Sequence, residues 1–221
     1  MRTALVILSF FVMVSLLTPH KAMAQNNQEP VNSKEEIEYF GNVRGFIWGL
    51  PKEIIRAEED SNFADESEDG SILYYVDTIN GIPTSVNYEF EDNKLQRVRI
   101  FSESDYAFPQ KRIDDYIKMK EDIDARYGQA LEENFTWHND REKKFPEMWG
   151  WAVKAGDLEI TTTWQDAETL VTLFMGGKPT RSFKNTYGVN NQPMIVVTFE
   201  DKKAKLRKQQ EQRKRAISII P

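Results

Sequence analysis

None of the 221 residues is a cysteine, and only two are histidines. Without a thiol there is no disulfide framework, no thiolate nucleophile and no Cys-ligated zinc or iron–sulfur site, and no cysteine can carry a lipid at a processed N-terminus. With His138 the sole histidine after residue 24, a transition-metal site is not expected either. Beyond the first 24 residues no apolar run is long enough to cross a bilayer. What is present is ordinary for a folded chain: 40% hydrophobic and 12% aromatic residues rule out wholesale disorder. The length suits one domain of usual size or two small ones.

Residues 1–24 read as a cleaved secretory signal. Arg2 supplies the positive start, Ala4 to Leu17 is apolar, Pro19 breaks the run, and Ala22, Met23, Ala24 form an A-x-A site with cleavage expected before Gln25. The apolar run would cover only about 21 Å as a helix against a hydrocarbon core of about 30 Å, so a membrane anchor is the weaker reading. The processed protein is therefore expected to be soluble and exported. Since it has no cysteine, a bacterial periplasm or secretion outside the cell suits it better than a disulfide-dense extracellular setting.

Charge divides the chain. The segment from Lys202 onward holds eight basic residues and one acid, while residues 25–201 hold 19 basic and 34 acidic ones. An acidic body of this kind repels nucleic acid, so no nucleic-acid partner is expected. The basic tail, 202–221, reads as helical without a wide apolar stripe. Its Lys202, Lys203, Lys205, Arg207 and Lys208 are candidates for docking on the acidic body, for contact with anionic lipid or polymer, or for plain solvation.

Between these ends, residues 25–38 form a polar spacer and 39–201 an α+β domain. Pro51 opens a short helix with Leu50, Ile54 and Ile55 on one stripe. Residues 72–79, 84–91 and 95–102 alternate with period 2 around Asn80-Gly81 and Asp92-Asn93, which predicts a three-strand antiparallel meander. Pro109 opens the longest helix, with Ile113, Tyr116, Ile117, Ile123 and Tyr127 at helical spacing and Gly128 closing it. A second strand-rich section follows a loop over 129–146, with strands expected at 149–153, 158–164, 169–175 and 193–199. The fold class is thus α+β, an antiparallel sheet packed by helices, with 39–105 and 106–201 as two degenerate helix-plus-meander units.

The segment Phe46 to Leu50, the helix start Gly49-Leu50-Pro51-Lys52-Glu53-Ile54, the pattern Tyr88, Phe90, Asn93, Lys94, Leu95, and Tyr127-Gly128 followed by Trp137 resemble exported bacterial domains. The likeness is to the outer-membrane-assembly lipoproteins of the SmpA/OmlA (BamE-like) family and to β-lactamase-inhibitor-protein-like α+β domains. It spans about residues 40–200, implies a short helical unit on an antiparallel sheet, and transfers no catalytic residue. The chain departs from the lipoproteins in lacking their lipidated cysteine.

Candidate chemistry is thin. His138 lies in Trp137-His138-Asn139-Asp140-Arg141, and as a general base it would need Asp140 as orienter and a nucleophile such as Ser182. An exposed loop histidine is the simpler reading. Asp65, Ser67, Asp69, Gly70 and Ile72 match five positions of a calcium loop, whose alternate oxygen ligands and sharp glycine turn suit a hard cation. However, Val76 stands where the bidentate carboxylate belongs, and seven acids over 58–69 also suit a solvated loop. No other cofactor is expected. Trp149, Trp151 and Trp164, with Phe135 and Trp137, can line a sugar- or peptide-binding surface or fill the core. The functional expectation is an exported, non-enzymatic binding or envelope-accessory protein with a protein partner. An inhibitor of a secreted or periplasmic enzyme is the alternative, and a hydrolase ranks third.

Overall fold

The structure, a computed structural model, describes residues 43–176 and 194–218, with side chains as far as Arg215. The signal and spacer, Ser182, and the junction around Lys178 and Pro193 lie outside the described residues.

Both predicted hairpins form where the sequence puts them. Asn80 and Gly81 take φ of +52° and +79°, and Asp92 and Asn93 take +50° and +58°. Two successive positive φ values give the two-residue turn whose twist matches the flanking strands, and Asn, Asp and Gly tolerate it best. These turns join β2 (Ile72–Ile79), β3 (Ile82–Glu91) and β4 (Lys94–Ser102). The meander has a fourth strand that alternation did not reveal. β1 (Asn62–Glu66) pairs antiparallel with β2, inside the stretch expected to be an acidic loop.

The second section follows the same plan with two corrections. β5 (Glu132–Trp137) lies within the expected loop and pairs with β6 (Leu158–Gln165). Residues 149–153 are not a strand. Trp149–Ala155 is the helix α3, entered from a 3-10 turn at Pro146–Met148. Gly156 at φ +78° closes it by donating its N–H to the carbonyls of Ala152 and Val153. In seven residues the i, i+4 pair Trp149 and Val153 fits either period, and burial decides: Gly150, Ala152 and Val153 face inward while Trp151, two residues on from Trp149, stands 45% exposed. β7 (Thr169–Gly176) and β8 (Met194–Asp201) complete the set.

The eight strands form one antiparallel sheet in the order β1-β2-β3-β4-β8-β7-β6-β5. Each half is a helix followed by four strands in sequence order, apart from the inserted α3, and the halves meet where β4 pairs with β8. The helix-plus-meander units are therefore continuous through one sheet, an α+β fold. Among the described residues no helix is long and apolar enough to cross a membrane.

One sheet face carries α1 (Lys52–Glu58), α2 (Gln110–Tyr127) and α3. α2 is bolted to β6 by two polar contacts inside the apolar layer: the Tyr116 hydroxyl lies 2.6 Å from Thr162 Oγ1, and the Trp164 indole donates to Asp124 Oδ1 at 2.8 Å. Its buried stripe is Arg112, Ile113, Tyr116, Met119 and Ile123. Ile117, expected inside, is 48% exposed because it sits about 100° around the helix from the middle of that stripe. Likewise Ile55 of α1 is fully buried while its neighbour Ile54 is 43% exposed.

α1 ends among acids, against its dipole, and a polar cluster compensates. Arg44 donates through Nη2 to Glu59 at 3.0 Å, Ser61 at 2.7 Å and Asp77 at 2.7 Å, and through Nε to the Tyr88 hydroxyl at 3.1 Å. Tyr88 in turn donates to Glu59. Burial opposes the charge on Glu59, but the hydrogen bonds from Arg44, Ser61 and Tyr88 outweigh it and hold the carboxyl below its ordinary range.

The opposite face is partly electrostatic. Glu89, Arg97 and Glu200 are register partners across β3, β4 and β8, and Arg97 bridges the two carboxylates at 3.0 and 2.8 Å while Arg99 pairs with Glu89. Such cross-strand pairs specify register as well as stabilising it. Helix α4 (Lys202–Ser218) runs straight on from β8, capped by Asp201, whose carboxylate accepts the N–H groups of Lys203 and Ala204.

Candidate interaction site

Trp149 opens α3 and meets two residues of β5: its ring centroid lies 5.4 Å from that of Phe135 and 5.9 Å from that of Trp137. The indole N–H reaches the carbonyl of Lys143 at 3.4 Å, holding the 139–148 connection against the ring. α3 in turn is pinned to the start of α2. Gly150 donates its N–H to Gln110 Oε1 at 3.0 Å, and Gln110 Nε2 donates to the carbonyl of Pro146 at 3.3 Å. The backbones approach so closely that a Cβ on Gly150 would stand 2.4 Å from the Gln110 nitrogen. Only glycine fits there, and this close approach fixes the direction in which Trp151 and Met148 project.

Around this junction Phe108, Phe135, Phe145, Met148 and Trp151 are exposed, at 74, 41, 52, 39 and 45%. Aromatic side chains that combine broad apolar area with few rotatable bonds suit partner recognition. Lys154 lies over the Trp151 ring at 5.6 Å, leaving the aromatic face bordered by charge.

The three tryptophans singled out in the sequence thus separate. Trp151 is exposed, Trp149 is half-buried as the hinge of the corner, and Trp164 is 1% exposed beneath α2. The expectation that Trp164 contacts a partner is corrected: its position on β6 turns it into the helix-covered core. Phe135 and Phe145, which complete the corner, carried no period of their own because one lies on an edge strand and the other in a loop.

His138 stands half exposed, with Nε2 3.7 Å from Glu159 Oε1. Asp140, its expected orienter, faces Lys143 at 3.3 Å instead. Of the acidic loop, Asp65 is on β1 and Ser67 to Ser71 form the β1–β2 turn. Asp69 Oδ1 accepts from Ser67 Oγ at 2.7 Å, Ser71 Oγ at 2.7 Å and Ser71 N–H at 3.0 Å, which holds that carboxyl down to about 2. Lys52 Nζ donates to the Gly70 carbonyl at 3.2 Å and pairs with Glu66 at 2.7 Å. Among the described residues no three acidic or histidine side chains are grouped to hold a metal.

The basic tail touches the body along its first two turns. Lys203 pairs with Glu168 at 3.2 Å, Lys205 with Glu200 at 2.5 Å and Lys208 with Glu91 at 3.0 Å, while Lys202 Nζ donates to the Asp166 carbonyl at 3.2 Å. Ala204 is buried beneath them and Arg207 is exposed. A groove of about 240 Å³ separates α4 from the sheet, but the charged groups lining it are already paired with one another.

No family model, curated protein or solved structure matches the chain.

Proposed function

We propose that this is an exported, non-enzymatic binding protein of the bacterial envelope whose protein partner docks on the aromatic corner at α3. The observation that carries the reading is the concentration of apolar surface there: five of the twelve large hydrophobic side chains exposed among the described residues flank one glycine-locked junction. An exposed apolar group of this kind is costly to leave in water and marks a contact surface. The resemblance to assembly lipoproteins and inhibitor-like domains, both protein-binding modules, supports the same class. The orientation of Asp140 toward Lys143 counts against a hydrolase built on His138.

The test is site-directed photocrosslinking in the envelope. A photoreactive side chain at Phe145 or Trp151 is expected to capture one discrete protein, and the same group at Ile117, equally exposed but on the outer face of α2, is expected to capture nothing comparable. Equal capture from all three positions, or ester, peptide or glycan turnover that His138→Ala abolishes, overturns the reading.

A further inference from the structure

A sheet with open ends has two free edges, and here they differ in kind. β1 is protected. Its register breaks between Phe63 and Asp65, which bends the edge. The N–H of Glu66 is taken by the side chain of Asp65 at 2.8 Å, and the Arg56 guanidinium lies over the Phe63 ring at 5.0 Å. Irregularity, side-chain capping and charge are the devices by which sheets refuse additional strands.

β5 has less protection: its charge is confined to Glu132 and Glu133 at one end, and its irregularity to the entry, where Leu131 also donates to the Thr163 carbonyl at 2.9 Å. All six of its residues keep one register against β6. Five of the six are exposed. In an antiparallel ladder alternate residues bond inward and outward. His138 donates to Asp157 in line with that register, so 132, 134 and 136 bond to β6 while Glu133, Phe135 and Trp137 turn their N–H and C=O groups to the open edge. Among the described residues no side chain caps those three N–H groups. The edge is therefore a flat row of three donors and three acceptors.

We propose that this edge pairs with the β5 edge of a second copy of the chain, antiparallel about a twofold axis, making one continuous sheet of sixteen strands. The occupant follows from self-complementarity. Only outward-facing residues can oppose one another, so the register must set odd positions against odd positions. Centring on Phe135 brings all three outward residues of both copies into use and forms six backbone hydrogen bonds. In that register Phe135 meets Phe135 of the second copy, Glu133 meets its Trp137, and on the other face Glu132 meets its His138. No like charges are opposed. Moving the axis to residue 133 would set Glu133 against its own copy and leave the aromatic residues unpaired, while moving it to residue 137 would drop Glu133 out of the ladder. A twofold contact in which one strand supplies both sides closes at the dimer and does not propagate, because the remaining edge is the protected β1.

This inference goes beyond the proposed function and is tested apart from it, on the purified protein with no partner present. Sedimentation equilibrium is expected to show a dimer at about 100 μM that dissociates on dilution, as an edge contact of this size would. Two variants address the edge without touching the β6 ladder. Phe135→Pro removes an outward N–H, and Phe135→Lys sets like charges opposite each other; both are expected to be monomeric at every concentration with unchanged far-ultraviolet circular dichroism. Hydrogen exchange on the unaltered protein provides a readout that needs no variant: the amides of 133, 135 and 137 are expected to lose protection on dilution while those of Asn134 and Thr136 keep theirs. A monomer at all concentrations, a dimer that survives both variants, or outward amides whose protection ignores dilution overturns the proposal.

Discussion

The two halves of the sheet share one order of elements and are held together by different chemistry. In the first half a seven-residue helix is fastened by charge: Arg44 gathers Glu59, Ser61, Asp77 and Tyr88, and Lys52 with Arg56 ties α1 to Glu66 on β1. In the second half an eighteen-residue helix is fastened by apolar packing, with neutral or half-neutral contacts at Tyr116–Thr162 and Trp164–Asp124. A short helix offers little apolar area, so its position has to be specified by directional contacts. A long helix covers enough of the sheet to be placed by burial, and it leaves the end of its half free to display aromatic surface.

That difference is broken most severely in the second half. Trp164→Ala removes the largest fully buried side chain and takes the indole donor from Asp124 Oδ1, leaving that carboxylate its Lys120 partner, and is expected to cost about 3–5 kcal/mol by urea unfolding. On the same helix, Ile123→Ala is expected to cost about 2–4 kcal/mol and Ile117→Ala less than about 0.5, since one is buried and the other exposed. Equal costs would show that the two faces of α2 have been exchanged.

Arg44→Ala tests the first half. It leaves Glu59, whose side chain is 3% exposed, without its cation, and a cost of about 2–3 kcal/mol is expected after allowing for the partial exposure of Arg44 itself. The same cluster predicts acid sensitivity. Glu59 has a folded-state pKa below its ordinary value, so its contribution is complete above that ordinary value of about 4.5 and is lost as pH falls through the lower folded one. Urea midpoints measured from pH 7 down to pH 3 are expected to fall, and less steeply in Glu59→Gln than in the unaltered protein. An unchanged slope in that variant would remove Glu59 from the account.

Gly150→Ala sharpens the comparison at the aromatic corner. A methyl group there must push α3 from the Gln110 backbone, and a cost of about 1–3 kcal/mol is expected, with a change in tryptophan fluorescence from Trp149 and Trp151. The smallest effect belongs to the tail. Lys208→Ala loses a half-exposed pair with Glu91 and is expected to cost less than about 0.5 kcal/mol at low salt and nothing measurable at high salt.

Much of the fold was legible along the chain because it rests on local chemistry. Asn80-Gly81 and Asp92-Asn93 dictate tight hairpins through their tolerance of positive φ. Gly128 dictates where α2 stops, and Asp201, placed before a run of basic residues, caps α4. Alternation in β2, β3, β6 and the first parts of β4 and β7 follows from having one face under the helices, and it fades where Phe101, Phe174 and Val196 are buried on the other face. β1 and β5 carry no period because an edge strand is wet on both sides, and Trp149–Val153 is ambiguous along the chain because its i, i+4 spacing fits two periods. Of the candidate site, the sequence by itself determined that aromatic residues were available and that thiol chemistry was not. Which tryptophan is core and which is surface, that Lys52 pairs with Glu66 beside the acidic turn, and that β5 ends the sheet with an open edge were decided by tertiary structure alone. Burial, charge pairing and edge position depend on what another part of the chain places alongside, and no local pattern encodes a neighbour a hundred residues away.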